Sequence, residues 1–92
     1  MQRSKALKKA EQLITGDRAK DYGDAYENHL RIAKMWSVIL QKQITVEQVY
    51  QCMIAVKLSR LIETPNHEDS YVDIIGYGAL AMEAKDGKFF FF

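Results

Sequence analysis

The sequence has few of the residues that form disulfide bonds, cysteine-based metal sites or rigid turns. Its 92 residues include one cysteine, Cys52, and one proline, Pro65. A single cysteine excludes an internal disulfide and a zinc site built from several cysteines. We expect Cys52 to be a small buried hydrophobic side chain, and a solitary thiol suits a reducing, intracellular compartment.

The chain also lacks an excess of charge of either sign. Lysine and arginine together number 13, and aspartate and glutamate 12, which gives a net charge of +1. Proteins dedicated to duplex DNA usually have a strong basic excess, so we expect no duplex nucleic acid partner. The sequence has neither a run of ~20 apolar residues nor the apolar stretch of a signal peptide. These absences predict a cytoplasmic protein that does not contact a membrane.

Apolar residues recur at helical spacing, and turn signals divide the chain into four helical segments. The first is predicted from about Ser4 to Thr15, with Gly16 as its C-terminal cap. A polar loop follows. The second helix is predicted to start after the cap residue Asp24 and to end near Leu40.

The third helix has a clear start and a clear end in the sequence. Thr45 and Gln48 form a capping-box pattern at its start. The helix is predicted to end at about Glu63, because the residue before Pro65 is biased away from helical geometry.

The fourth helix is predicted to run to about Lys85 and to end near Gly87. No strand signal competes with these four segments. We therefore predict an all-α fold, a four-helix up-and-down bundle in a single domain over residues 1–92. The sequence offers two pairs of cap residues for the fourth helix, Asn66 with Asp69 or Ser70 with Asp73.

The third helix carries two basic residues where apolar ones are expected. Lys57 lies near the centre of its apolar face, and Arg60 is one turn further along the edge of that face. Positive charges on an apolar face cost free energy unless they are paired or face a ligand. The apolar members of the face are Val46, Val49, Tyr50, Met53 and Leu61.

The fourth helix supplies possible partners for these cations. Asp69 and Asp73 lie one turn apart, and Gly76 continues the same face. A glycine within a helix costs about 1 kcal/mol relative to alanine, and Gly78 repeats that cost. Such glycines are tolerable where another backbone or a ligand must come close.

Two interpretations of these charges remain open. In the first, Lys57 and Arg60 contact the phosphate oxygens of a ligand in a pocket between the two helices. Asp69 and Asp73 then position the cations, or hold a divalent metal that bridges the phosphates. In the second, which the spacing alone favours, Lys57 or Arg60 forms an inter-helix salt bridge with Asp73.

Both histidines have a structural interpretation beside a functional one. His67 stands before the fourth helix, where it is either a phosphate contact assisted by the helix dipole or a solvated loop residue. His29 lies on the apolar face of the second helix and is expected to be a core histidine, because no second histidine follows one turn later. Most aromatic side chains are expected in the core, although one or two could stack on a base.

A set of residues between Arg18 and Tyr77 forms a recognisable pattern, and the resemblance it carries covers roughly residues 14 to 84. Its members are Arg18, Tyr22, Gly23, Asn28, Trp36, Lys57, Arg60, His67, Glu68, Asp69, Ser70, Asp73, Gly76 and Tyr77. The pattern resembles a family of small proteins found in phages and prophages. That family is similar in turn to the MazG-like all-α nucleotide pyrophosphohydrolases. The resemblance implies a helical, oligomeric fold with a nucleotide pocket between helices.

MazG-like enzymes hold magnesium with an ExxE pair on one helix and an ExxD pair on the next, and this chain departs from both. Asp73 matches the aspartate of the second pair, but Ser70 occupies the partner position. In the third helix, Glu47 is followed by Tyr50 where a second carboxylate would stand. Magnesium-assisted hydrolysis needs several carboxylates, so replacing them by cations retains phosphate affinity without the metal.

The leading hypothesis is that the chain binds a phosphorylated nucleotide or nucleotide-derived signal without hydrolysing it. In a phage, such a protein would sequester a host defence signal. One alternative is a magnesium-dependent MazG-like nucleoside triphosphate pyrophosphohydrolase, and another is a structural helical interaction module. The leading hypothesis assigns no catalytic residue, metal ligand or cofactor. Its ligand-binding residues are Lys57, Arg60, Asp73, Asp69, His67, Arg18, Tyr22 and Asn28.

Two features favour a homo-oligomer, of which a dimer is the commonest closed form. A chain of this length buries only about 60% of its unfolded surface, so its core is thin. The last four residues, Phe89 to Phe92, are all phenylalanine. They either pack into a neighbouring subunit or belong to a mobile tail over 87–92.

Overall fold

A computed structural model of the protein describes residues 1–17 and 25–87, and in these residues it is all-helical. Four α-helices follow one another, and a short π-helical segment extends the first. The predicted cap Asp24 and the phenylalanines at 89–92 lie outside the described residues. The elements are α1 (Arg3–Gln12), the π-helical segment (Leu13–Asp17), α2 (Ala25–Leu40), α3 (Val46–Glu63) and α4 (Glu68–Gly87).

The end of the first helix differs from the prediction. α1 ends at Gln12, and the chain then widens into the π-helical segment instead of stopping. Gly16 lies inside this segment and does not adopt the left-handed conformation of a C-terminal cap glycine. The prediction of a glycine cap at residue 16 was therefore wrong, because the helix changes its winding there rather than terminating.

The connection between α2 and α3 is fixed by a buried serine and a residue with positive φ. The Ser37 hydroxyl donates to the carbonyl of Ala33 (2.8 Å) and accepts from the amide of Ile44 (2.9 Å). Gln41 has a φ of 54°, and the amide of Lys42 donates to the carbonyl of Ser37 at 3.2 Å. This backbone bond over a left-handed residue is a frequent helix ending, in which glycine is the usual left-handed residue.

The start and the end of α3 are confirmed. The Thr45 hydroxyl accepts from the amide of Gln48 (3.1 Å), and the Gln48 side-chain oxygen accepts from the amide of Thr45 (2.9 Å). Both halves of the capping box are thus present. The helix ends at Glu63, two residues before Pro65, as the restriction on pre-proline residues predicts.

The cap of α4 is a histidine, and neither predicted pair of cap residues supplies it. The helix begins at Glu68, and the preceding residue, His67, accepts a hydrogen bond at Nδ1 from the amide of Ser70 (3.2 Å). The Ser70 hydroxyl also lies 2.7 Å from that nitrogen and is fully buried. The ring nitrogen thus performs the task that an asparagine or aspartate oxygen usually performs.

The helices pack around a small core on α3. Four residues connect α3 to α4, so the chain reverses, and these two helices share the most extensive contact. α2 packs on α3, whereas α1 packs on α4. Among the helices of the described ranges, none is long and apolar enough to cross a bilayer. The buried core cluster comprises Ala33, Ile44, Val46, Val49, Tyr50 and Tyr77.

Many apolar side chains lie outside this core. Cys52 is exposed, so the prediction of a buried thiol was wrong. It lies on the side of α3 that none of the other described helices covers. The large hydrophobic side chains that are also exposed include Leu7, Met35, Val38, Ile39, Leu40, Val56, Leu58, Ile62, Tyr71 and Met82.

Candidate ligand-binding site

A cavity of about 360 Å³ lies where the π-helical segment, α2 and α4 meet, with α1 and α3 completing its walls. Its volume falls within the range of small-molecule sites, ~300–1,000 Å³. Most of its lining is apolar, and a few polar groups face it. The polar members are Asn28, His29, Asp73 and Tyr77, and the apolar members are Ala10, Leu13, Ile14, Ala25, Ile32, Met53, Val72, Gly76 and Leu80.

A histidine and two tyrosines hold one another in place at the wall of the cavity. Nδ1 of His29 lies 2.7 Å from the carbonyl oxygen of Ala25, and because a carbonyl only accepts, this nitrogen carries the proton. The His29 ring lies 4.6 Å from the Tyr50 ring and 5.8 Å from the Tyr77 ring, centroid to centroid. Such tilted and edge contacts between rings are favourable. His29 is thus fixed in orientation where it lines the cavity.

An ion pair links α3 to α4 beside the cavity. The Nζ atom of Lys57 lies 2.9 Å from Oδ2 of Asp73, and the two side chains are 21% and 12% exposed. Asp73 lines the cavity directly, whereas Lys57 stands behind it. The inter-helix salt bridge that the spacing favoured is therefore present, and the carboxylate that completes it also faces the empty volume.

A second group of charges lies one turn before Asp73, where α4 begins. Nζ of Lys9 lies 3.1 Å from Oδ1 of Asp69. Lys9 lowers the pKa of the Asp69 carboxyl by its hydrogen bond and its charge, and the charge of Arg60 lowers it further. We call Lys9, Arg60, His67 and Asp69 the charged end of the site.

The two glycines in the middle of α4, Gly76 and Gly78, have different surroundings. A Cβ atom at Gly76 would lie 3.0 Å from Cγ2 of Ile14, which is closer than ordinary van der Waals contact. The absence of a side chain at 76 thus lets the π-helical segment approach α4, as the sequence predicted for a close contact. A Cβ atom at Gly78 would meet nothing within 4 Å, so no close approach explains that glycine.

The predicted ligand-binding residues fall into three groups. Asn28 and Asp73 line the cavity, and Lys57 supports Asp73. A further group belongs to the charged end. Asp69, its member on α4, lies about 6 Å from Asp73 along the helix axis, because four helical residues rise that far. The remaining two lie outside the described residues. The first group is Asn28, Asp73 and Lys57. The second is Arg60, His67 and Asp69, and the third is Arg18 and Tyr22.

Sequence reasoning missed three contributors to the site. His29 was assigned to the core because it has no second histidine nearby, yet it lines the cavity. Tyr77 was one of several aromatic residues among which spacing could not choose. Lys9 is one of three lysines in α1 that the sequence does not distinguish, and only the packing of α1 on α4 brings it to Asp69.

The described carboxylates do not form a metal site of the MazG type. Within residues 1–17 and 25–87, no three histidine, cysteine, aspartate or glutamate residues come together as metal ligands would. The carboxylate that lines the cavity in this part of the chain is Asp73, which is engaged by Lys57. Magnesium held for hydrolysis usually has more than one carboxylate or a substrate phosphate as ligand.

Comparison with known proteins identifies relatives of this chain among phages. The Gene 55 protein of Mycobacterium phage L5 is 45% identical over 75 residues, which are 80% of this chain and 48% of the relative. The Gene 55 protein of Mycobacterium phage D29 is 41% identical over 71 residues, which are 77% of this chain and 47% of the relative. The chain spans about half the length of these relatives, and no solved structure matches it significantly. The family model described as "Domain of unknown function (DUF6378)" matches residues 5–85, and the chain belongs to this family.

Proposed function

We propose that the protein binds a phosphorylated nucleotide, or a signal derived from one, and releases it unchanged. The observation that carries this proposal is the cavity of about 360 Å³, which combines apolar walls with a few polar groups and lies one helical turn from the charged end, where Lys9 and Arg60 are the cations. A nucleotide matches both parts of this site. Its base has apolar faces and polar edges, which suit the cavity, and its phosphates are anionic, which suits the cations.

The base enters the cavity in this proposal. Its faces pack against side chains such as Ile32 and Leu80. Its polar edge meets the Asn28 amide, which donates and accepts, and the Asp73 carboxylate, which accepts. His29, held by its bond to Ala25, offers a fixed aromatic surface. The match lies in both size and chemistry, since small-molecule sites pair an apolar lining with few polar groups.

The phosphates extend toward the charged end. Arg60 is exposed there and Lys9 is 43% exposed, so both can reach an anion in solvent. A guanidinium binds phosphate as a planar fork, and an ammonium binds it as a point charge. The start of α4 adds the partial positive charge of a helix N-terminus, which His67 already caps. Asp69 holds Lys9 in place until the phosphate competes for it.

Release without hydrolysis follows from the pairing of the cavity carboxylate. A MazG-like mechanism uses several carboxylates to hold magnesium and activate water. In the described lining, Asp73 is bonded to Lys57, which offers a cation in place of a metal. Binding that stabilises substrate and transition state equally gives affinity and no turnover.

The biological role we propose is sequestration. The curated relatives are proteins of mycobacteriophages. A phage protein that binds a host nucleotide signal tightly lowers its free concentration, and in this role it counters a defence response in the cytoplasm of the bacterial host.

One experiment distinguishes this proposal from the two alternative functions, hydrolysis and a purely structural role. The protein is titrated in thermal-shift and calorimetric assays with nucleoside mono-, di- and triphosphates and cyclic dinucleotides, with and without magnesium. We expect at least one nucleotide to raise Tm by mass action and to be recovered intact by chromatography. Pyrophosphate released from a triphosphate with magnesium would instead establish the MazG-like hydrolase. A Tm that no nucleotide changes would indicate a structural helical interaction module.

Matched variants connect the binding to the cavity. Asn28→Leu removes the amide and fills part of the volume, so the nucleotide should no longer raise Tm. Glu83→Gln changes an exposed carboxylate on α4 away from the cavity and should leave the nucleotide effect intact. Loss of binding in both variants, or in neither, would contradict the assignment of the cavity.

We further infer that the protein forms a homo-oligomer. The described core contains eight buried hydrophobic residues, whereas eleven large hydrophobic residues are exposed. Monomeric proteins rarely leave large contiguous apolar patches in solvent. Sedimentation equilibrium of the full chain tests this inference, and a single-chain mass at every concentration would contradict it.

A further inference from the structure

The outer face of α3 carries no charge over three turns. Its exposed positions between residues 48 and 59 are all neutral, although 27% of the chain is charged. A helix face in contact with water normally carries charged residues. We call these exposed neutral residues, together with Ile62 one turn beyond them, the outer face of α3. It consists of Gln48, Gln51, Cys52, Ala55, Val56, Leu58, Ser59 and Ile62.

The outer face follows one side of α3. Positions 48, 52, 55, 59 and 62 alternate steps of four and three, which return to the same side of an α-helix. The largest apolar side chains are exposed, with 55% of Val56, 52% of Leu58 and 83% of Ile62 in solvent.

A second apolar patch lies on α2 at the opposite end of the hairpin. Met35, Val38 and Ile39 are 63–76% exposed. The connection between α2 and α3 is short, so Val38 lies beside the first turns of α3. Ile62 is at the far end of α3, about 20 Å along the axis at 1.5 Å per residue.

We propose that a second copy of this chain covers both patches, with the two α3 helices antiparallel about a two-fold axis near Ala55 and Val56. This proposal rests on the self-association inferred above and names its interface. A two-fold rotation exchanges the ends of the α2–α3 hairpin. It therefore places the Ile62 end of each copy against the Met35–Val38 end of the other, so each apolar patch meets an apolar patch.

Charge also favours the antiparallel arrangement. The exposed charged residues of α3 itself are Arg60 and Glu63, at one end of the helix. In a parallel pair, Arg60 would face Arg60 of the second copy and Glu63 would face Glu63. Like charges that face each other are unfavourable. Antiparallel helices place Arg60 opposite Gln51 and Glu63 opposite Gln48, both neutral amides.

The two patches supply most of the area that a standard-size dimer interface needs. The six large side chains of the patches together expose on the order of 600 Å², against the ~800 Å² that each partner of a standard-size interface contributes. Flanking residues of the outer face supply the difference. The six are Met35, Val38 and Ile39 on α2, and Val56, Leu58 and Ile62 on α3.

Charge-introducing variants test which face mediates association. Val56→Glu and Ile62→Glu should each raise the dimer dissociation constant at least about tenfold in sedimentation equilibrium, because the interface would have to bury an unpaired charge. Both side chains are exposed, so circular dichroism should show folded protein. Leu7→Glu on α1 is the matched control and should leave the mass unchanged. A dimer that resists both variants would refute this interface while leaving self-association intact.

Cross-linking tests the direction of the helices. Antiparallel packing places Cys52 of one copy opposite Ser59 of the other, so oxidation of the Ser59→Cys variant should give a covalent dimer. The wild-type chain, with Cys52 as its only thiol, should stay unlinked. A covalent dimer in the wild type would refute the antiparallel arrangement. A wild-type chain that sediments as a monomer at every concentration would refute the dimer altogether, and nucleotide binding would still be measurable.

Discussion

Lys57 and Asp73 join α3 to α4 through a 2.9 Å ion pair at the wall of the cavity. Both residues were candidates for the same site because they interrupt apolar faces on neighbouring helices. Their side chains keep only 21% and 12% of their surface in solvent, so neither charge is well hydrated alone. Each side chain therefore compensates the partly buried charge of the other, and the pair fixes the Asp73 carboxylate at the cavity wall.

Removal of one member of this pair should destabilise the protein more than removal of both. Lys57→Met leaves the Asp73 carboxylate without its cation. We expect a loss of about 1–3 kcal/mol in the free energy of unfolding, less than the ~3–5 kcal/mol of fully buried pairs because some solvent contact remains. The double variant Lys57→Met with Asp73→Leu should recover part of that loss, since apolar replacement of both members is often neutral.

Urea denaturation of the wild type, both single variants and the double variant gives the coupling energy. A double variant whose loss equals the sum of the single losses would show that the two residues act independently. Nucleotide titration of the same four proteins separates stability from binding, because the proposed site needs the Asp73 carboxylate itself.

The two glycines in the middle of α4 should respond oppositely to replacement by alanine. Gly78→Ala meets nothing within 4 Å and gains helix propensity, so the free energy of unfolding should rise by up to about 1 kcal/mol. Gly76→Ala gains the same propensity but places its Cβ 3.0 Å from Ile14 Cγ2, and overpacking typically costs about 1–3 kcal/mol.

Thermal and urea unfolding of the two variants measure this difference directly. Ile14→Ala removes the atom that crowds a Cβ at position 76. In that background, Gly76→Ala should recover part of its gain in helix propensity, measured relative to the Ile14→Ala single variant. Equal stabilisation by both glycine variants would show that the approach of the π-helical segment to α4 is not tight.

The features that the sequence predicted well depend on neighbours along the chain or on two helix faces. The capping box of Thr45 and Gln48 involves residues three apart, and Pro65 restricts its immediate predecessor. The Lys57–Asp73 pair required only that each residue lie on the inner face of its helix. Spacing alone indicates all of these.

The features that the sequence did not predict depend on packing between distant segments. The π-helical segment is stabilised where Ile14 meets Gly76, which helix propensity does not describe. Lys9 reaches Asp69 only because α1 lies on α4. Cys52 was expected in the core because it lies in an apolar helical run and free cysteine is usually buried, but larger residues occupy the inner side of α3. The cavity likewise exists only where five segments of the chain meet.

A glycine at position 41 should stabilise the end of α2. Gln41 has a φ of 54°, a conformation that costs a residue with a side chain more than it costs glycine. We expect Gln41→Gly to raise the free energy of unfolding by about 0.5–1 kcal/mol, measured by urea denaturation. Gln41→Ala keeps the Cβ atom and should give no such gain. A loss of stability with glycine would mean that the Gln41 side chain contributes more than its backbone costs.

Acid should weaken the contact between α1 and α4. Lys9 lowers the pKa of Asp69 in the folded protein, whereas an unfolded chain has an ordinary aspartate pKa near ~4. A lowered folded pKa means that the stabilisation is present above the unfolded pKa and is lost as pH falls through the folded pKa. We therefore expect part of the stability to disappear as pH falls from about 5 to about 2.

The variant Lys9→Met isolates this contribution from the other carboxylates. It removes the cation that lowers the Asp69 pKa, so its stability should depend less steeply on pH over the acid range than that of the wild type. Added salt should reduce the difference, because both side chains are solvent-exposed and their attraction is screened. Parallel acid titrations of the two proteins by circular dichroism measure the slopes. If the slopes coincide at low salt, the ion pair contributes nothing to the attachment of α1, and Lys9 is available to a phosphate without first breaking a stabilising contact.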